Sequence, residues 1–199
     1  SIPFMLASFL QTLYSTADMI AVGNWGGRAA LSAVYVGSEM NSLFIMFAFG
    51  FSGAVQVLIA QYVGSKDVNN IRKVFGNGLL IAGTFSIIAG GICIIFPRWF
   101  LELLTTPNEA IEYAAVYMRI CGIGMPFIYG YNIVSAFLRG IGDSKRPLIF
   151  IAIAALVNIA LDILLVGVFD LGATGAAIAT VAGQTVALAS AIHYFLRRN

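Results

Sequence analysis

Six apolar runs, each long enough to cross a bilayer, constrain this chain more than any other feature. They cover about residues 2–23, 30–62, 74–97, 110–138, 148–169 and 173–196. A helix needs about 20 apolar residues to span the hydrocarbon, and a helix satisfies its own backbone where no water can. The expected fold is an all-α integral membrane protein, a six-transmembrane-helix bundle forming one unit over residues 1–199. Composition excludes a soluble alternative: 60% of residues are apolar and 10% charged, against roughly 25% charged in an average soluble domain. One soluble core of this size could not hide so much apolar side chain. The second and fourth runs exceed the bilayer and are expected to tilt or protrude.

Ser1 leads straight into the first run, so a truncated start is expected. Residues 2–23 are too long for a signal-peptide core and carry no small-residue cleavage site, which makes them a span. The stretches between runs are polar or turn-forming: Asn24 to Arg28, Ser65 to Lys73, Arg98 to Asn108, Arg139 to Pro147 and Asp170 to Thr174. Before the fourth run, Thr106 as N-cap, Pro107 at the first helical position and Glu109 predict a capping box.

Basic residues predict the orientation. Lys66, Arg72 and Lys73 follow the second span, Arg139, Lys145 and Arg146 the fourth, and Arg197 and Arg198 the sixth. The opposite side holds only Arg28 and Arg98. The loops rich in lysine and arginine are therefore expected in the cytoplasm, with both termini of the chain.

An internal echo links the first and fifth spans. Asp18 to Gly23 matches Asp162 to Gly167, and each segment leads through a short turn to an alanine pair, Ala29-Ala30 and Ala176-Ala177. The two spans run the same way, so both aspartates lie about 7–8 Å inside the outer helix end.

Four ionisable residues fall within spans: Asp18, Glu39, Arg119 and Asp162. Each costs roughly 2.5–3.5 kcal/mol on insertion scales and is by default a functional hypothesis. Arg119 can snorkel outward or pair with Glu112. Glu39 is expected in a water-lined cleft, without an assigned role. The aspartates stand apart because their helix faces are polar too. Asn158 precedes Asp162 by one turn; Gln11, Tyr14 and Asp18 form a stripe, and Thr180 with Gln184 forms another. Neutral polar groups at such places act as interhelical glue, at about 0.6 kcal/mol apiece. Two carboxylates facing one cleft must share a proton or a cation, which is the chemistry of a coupling site.

Other chemistries find less support. Gly140 to Asp143 matches the Gly-x-Gly-Asp string of intramembrane aspartyl proteases, but Asp143 lies among Arg139, Lys145 and Arg146 at a predicted loop, and Ala17 and Leu161, not tyrosines, precede the buried aspartates. The same loop lacks P-loop spacing. Cys93 and Cys121 lie in apolar runs and read as small buried hydrophobes, and the single His193 as a headgroup-level residue. No enzyme activity and no cofactor beyond the coupling ion is expected, and nucleic acid is not expected as a partner.

The string Leu138 to Pro147, followed by Asn158 to Asp162, resembles the multidrug and toxic compound extrusion family, where a Leu-Arg-Gly-x-Gly-Asp-x-x-x-Pro loop precedes Asn-x-x-Leu-Asp. Pro3, Gln11 to Tyr14, Asp18, Val22-Gly23, Ala60-Gln61, Gly64, Tyr117, Arg119 and Gly172 to Thr180 agree in order. The resemblance implies the N-terminal six-helix lobe of a twelve-helix transporter, its C-terminal lobe being absent from this chain. It implies exchange of amphiphilic, often cationic, compounds for H⁺ or Na⁺ at a cell membrane, the prokaryotic inner membrane above all. By the same resemblance Asp18, Asn158, Asp162 and Thr180 form the ion- or proton-coupling site, where Na⁺ would take oxygen ligands. Tyr14, Tyr117 and Asn132 match cavity residues, whereas Ser135 stands where some members carry asparagine. A lipid-linked oligosaccharide flippase of the same superfamily is the alternative; it would line its cleft with more arginine and lysine than Arg119 alone. The expected partners are membrane lipid, the small exported substrates and the second lobe.

Overall fold

The computed structural model describes residues 2–197; residues 1, 198 and 199 and the side chains of residues 2–8, 11, 14 and 15 lie outside the described set. The chain runs α1 (Ile2–Ala21), α2 (Gly27–Gly64), α3 (Val68–Ile95), the short α4 (Pro97–Leu103), α5 (Asn108–Gly140), α6 (Lys145–Asp162) and α7 (Gly172–Arg197). Strands are absent among the described residues. Six of these helices have 18 residues or more, as the apolar runs predict. The 38 residues of α2 amount to about 57 Å at 1.5 Å each, well beyond the hydrocarbon, so this helix must tilt or protrude.

Helix ends follow local chemistry more closely than hydropathy. α3 starts ahead of its apolar run because Asp67 caps it, Oδ1 accepting from the Asn70 backbone N–H at 3.1 Å. The stretch expected as loop after Arg98 contains α4, with Pro97 in its first turn. The capping box is not formed. α5 begins one residue later than its spacing predicts, Pro107 is the N-cap, and the buried Thr106 hydroxyl has no partner. One residue outside the cap, Thr106 is misplaced for the N–H groups of the first turn.

The internal echo is structural. After Asp18 the chain passes into a π-helical segment, Val22–Gly26, and after Asp162 into another, Ile163–Val168. Val22 and Val166 are both fully buried. Each segment is followed by a glycine at positive φ that opens the next helix, Gly27 at 79° and Gly172 at 50°. The two segments touch, with Gly167 beneath the Trp25 ring. The reversal at Gly26-Gly27 also lets Thr12, Thr16, Asp18 and Met19 line one cleft with Ser38, Ser42 and Phe49. A straight continuation would put Met19 and Ser38 about 28 Å apart.

α5 is the centre of the bundle. It packs against α2, α3 and α7, and more than half of it is buried. Close approach is bought with small residues. Pro126 removes the N–H that would bond the Gly122 carbonyl, and that carbonyl points at Gly90 of α3, where an added Cβ would come within 2.5 Å of it. Tyr129 fixes α5 to α2, its hydroxyl donating to the Phe44 carbonyl at 2.7 Å. At the other end Phe75, Phe137 and Phe195 from α3, α5 and α7 cluster, with ring centroids 4.7 to 6.3 Å apart.

Candidate functional site

Asp18 lies one turn before the π-helical end of α1, and Asp162 is the last residue of α6 before its own. Asn158 and Asp162 share one face of α6, and Thr180 comes from α7. Gly183 sets the spacing between those two helices: a Cβ there would stand 3.0 Å from the Ala154 carbonyl and 3.2 Å from Asn158 Cβ. The three helices bring the four side chains together in the interior, each at most 7% exposed.

Both oxygens of Asp18 are occupied. Asn158 Nδ2 donates to Oδ1 at 3.1 Å, and the Thr180 hydroxyl donates to Oδ2 at 2.8 Å. Asp162 faces the Asp18 carboxyl. Neither oxygen of Asp162 meets a donor, and the Asn158 carbonyl oxygen is also without one. Three buried acceptor oxygens around a buried carboxylate are therefore unsatisfied. Unmatched, such groups are costly; a proton held between the carboxyls or a small cation among the oxygens would satisfy them.

The cluster opens on a cleft of about 560 Å³, lined by Asp18, Tyr117, Thr180 and Gln184 on one side and by polar positions of α2 on the other. Tyr117 is 1% exposed and packs on Gly37, where a Cβ would fall 2.6 Å from its ring. Asn132 is placed differently. Buried in α5, it donates to the Ile128 carbonyl at 2.9 Å and is not part of the cleft wall. The Tyr14 and Gln11 side chains lie outside the described residues. Glu112 pairs with Arg98 rather than Arg119, and Arg119 is exposed outside the cleft. What the sequence reading missed is the α2 wall, Ser38, Asn41 and Ser42 beside Glu39. Their i, i+3, i+4 spacing was the available signal.

The Gly-x-Gly-Asp string has a structural explanation. Gly140 packs on Ile59 of α2, where a Cβ would lie 2.8 Å from Cγ2. Gly142 has φ 92° and closes α5 with its N–H on the Arg139 carbonyl, while the Asp143 N–H bonds Leu138. Asp143 then accepts from the Arg146 backbone N–H, pairs with its guanidinium, and leaves that group 4.3 Å above the Tyr194 ring. From Asp143 to Asp162 is about 28 Å along α6, so no aspartyl dyad forms there.

Comparison with known proteins bears on this arrangement directly. The family model described as MatE matches residues 3–164. The chain belongs to the MatE family. It is 33% identical over 197 residues to the probable multidrug resistance protein YpnP of Bacillus subtilis, covering 99% of this chain and 44% of that protein. It is 27% identical to the multidrug export protein MepA of Staphylococcus saprophyticus, covering 100% and 44%. Among solved structures, MATE in the bent conformation superposes with a TM-score of 0.89 at 27% identity, covering all of this chain and 44% of that one. An outward-facing multidrug resistance MATE family transporter of the MOP superfamily gives 0.88 at 26% identity, with the same coverage. This MatE chain spans less than half the length of the curated relatives it matches, and it corresponds to the N-terminal lobe of such a transporter.

Proposed function

We propose that this lobe carries the ion-coupling site of an exporter that exchanges amphiphilic, often cationic, compounds for H⁺ or Na⁺ across a bacterial plasma membrane. One observation carries the reading: Asp18, Asn158, Asp162 and Thr180 meet in the interior with three acceptor oxygens unsatisfied, directly behind Asp18 and Thr180 of an open cleft wall. The ion is substrate here. Its oxygen contacts come from Asp162 and the Asn158 carbonyl, while Asp18 supplies charge and ties α1 to α6 and α7. Uptake of the ion neutralises the pair and changes the cost of moving α1 relative to its partners, which biases one state of the lobe over another. Alternating access needs a second body to rock against, so the working unit includes a second six-helix lobe. The basic loops after α2 and α5 face the cytoplasm, as do both ends of the chain.

The names of the relatives support drug export over flipping of lipid-linked sugars. The cleft wall does so too: its described residues include Asp18 and Glu39 and neither lysine nor arginine, a poor surface for phosphates. The test is ion-driven efflux by the complete transporter. Asp162→Asn is expected to abolish it while membrane insertion is intact, because the amide keeps the shape and loses the charge. Gln11→Ala is expected to be milder. Efflux with unchanged ion dependence in Asp162→Asn would reduce the cluster to helix glue.

A further inference from the structure

A second recess lies away from the cleft, between the end of α2 and the start of α3. Phe51, Val55 and Leu58 of α2 and Val74, Gly78 and Ile81 of α3 line a groove of about 240 Å³. Each set recurs at i, i+4 and i+7 and so lies on one side of its helix. Gly78 forms the floor: a Cβ there would stand 2.9 Å from Val55 Cγ2, so the two helices touch beneath the groove. Leu58 and Ile81 are exposed on its rims, and the Phe51 and Phe85 rings, 4.6 Å apart, bridge the helices beyond Ile81.

Three observations indicate what covers this groove. At 3.6 residues per turn, Phe51, Val55 and Leu58 lie roughly 150° round α2 from the cleft-lining Ser42, Ile45 and Phe49. A second lobe across the cleft therefore stands on the far side of α2, and the groove faces lipid. Asn77 lines the same groove, exposed, and its carboxamide has no hydrogen-bond partner among the described residues. It lies about 13 Å along α3 from the helix start, past a headgroup layer of roughly 5–8 Å. An amide left unmatched there is costly, and the acceptors a phospholipid offers near that depth are its ester carbonyls. Lys73 stands one turn before Asn77 on the same edge of α3, exposed, with no acid within ion-pair distance among the described residues. Asp67, the acid of this turn, is engaged in capping α3, its oxygens accepting from Asn70 at 3.1 and 2.7 Å. Helical side chains lean toward the N-terminus, which carries Lys73 and Asn77 toward the headgroups. About 6 Å of helix rise separates them, a step like that from phosphate to ester carbonyl in a glycerophospholipid.

We propose that this groove binds one anionic phospholipid. Lys73 meets the phosphate, the Asn77 carboxamide donates to an ester carbonyl, and one acyl chain lies over Val55 and Gly78 as far as the Phe51–Phe85 bridge. The site is separate from the ion cluster and requires only that α2 and α3 span a bilayer.

The experiment is tryptophan quenching in the complete protein, reconstituted in dioleoylphosphatidylcholine, with Leu58→Trp as reporter and every other tryptophan, Trp25 and Trp99 included, replaced by phenylalanine. Phosphatidylglycerol with brominated acyl chains should quench at about fivefold lower mole fraction than brominated phosphatidylcholine, the effect of one lysine near the headgroup. Lys73→Gln should erase that preference. Phe51→Trp, an aromatic for an aromatic on the same wall, is a second reporter and should give the same ratio. Ile87→Trp, exposed on α3 beyond Phe85, should be quenched by both lipids alike. Ester-linked phosphatidylglycerol should displace the brominated lipid about threefold better than its ether-linked analogue, the effect of one hydrogen bond in a bilayer, and Asn77→Leu should remove the difference. Equal quenching by the two lipids at both reporters, or a preference that survives Lys73→Gln, overturns the site, as does equal displacement by ester and ether lipids. No quenching by either lipid would show the second lobe seated on the groove, and overturns it too.

Discussion

Replacing Asp18 in two ways separates its structural role from its electrical one. In Asp18→Ala, Asn158 Nδ2 and the Thr180 hydroxyl lose the acceptors they now hold at 3.1 and 2.8 Å. Interhelical hydrogen bonds in a bilayer are worth about 0.6 kcal/mol on average and at most about 1.7, so two amount to about 1–3 kcal/mol. At about 2–4 °C per kcal/mol for a chain of this size, Tm should fall by about 2–12 °C. Asp18→Asn should behave otherwise. The Asn158 carboxamide can flip and offer its unpartnered oxygen to the new amide, and the Thr180 hydroxyl still has an oxygen to bond. Its Tm should stay within about 2 °C of wild type. The ion response should be lost in both, because the pair no longer carries two carboxyls. For the wild type, an ion at 100 times its Kd adds about 2.7 kcal/mol. The assay is thermal unfolding in detergent with a fluorogenic maleimide, which reports Cys93 and Cys121, each 1% exposed when folded. Sodium titration at fixed pH and a pH series at fixed sodium distinguish the two ions. Asp18→Asn melting as early as Asp18→Ala would refute the reasoning, since charge itself would then hold the helices. Asp18→Ala melting with wild type would show that these bonds do not tie α1 to its neighbours.

Adjacent glycines provide an internal control for packing. Gly90→Ala brings a methyl within 2.5 Å of the Gly122 carbonyl and should cost about 1–3 kcal/mol by forcing α3 from α5, whereas nothing stands within 4 Å at Gly91 and Gly91→Ala should be neutral in the same melt. Asp143→Ala removes the acceptor of the Arg146 N–H and an ion pair at the start of α6 and should cost about 1 kcal/mol, with no proteolytic activity to lose; a cleaved transmembrane peptide would contradict this. Single cysteines at Asp67 and Asp170 should label from opposite faces of intact cells, the native thiols being buried; labelling of both from outside would refute the orientation.

The site was legible to the extent that its residues could be ranked one at a time. A charge in an apolar run is conspicuous because its insertion cost needs a reason, so Asp18, Asp162 and Glu39 stood out, and Asn158 followed from its place one turn from Asp162. Thr180 stood out as a polar stripe with Gln184, and family resemblance then joined it to the aspartates. Asn132 shows where resemblance runs short: it matches a cavity residue of the family, but its carboxamide turns back on its own helix at Ile128. Glu112 shows the same of spacing, since Arg98 and not Arg119 reaches it. Both outcomes depend on side-chain direction, which sequence spacing leaves open.

The apolar runs alone determined that this chain is a bundle of long membrane helices, because a bilayer allows the backbone of such runs no other partner than itself. They also made the echo of Asp18 to Gly23 in Asp162 to Gly167 visible. Only the tertiary structure decided that the echo is a pair of touching π-helical turns, that Gly90, Gly37 and Gly183 are contact points rather than spacers, and that α2 forms the second wall of the cleft. The physical reason is that burial in a bilayer depends on hydropathy summed along a helix, which sequence records directly. Which faces meet depends on the distance between backbones, and that distance is set by side chains many turns apart in the chain.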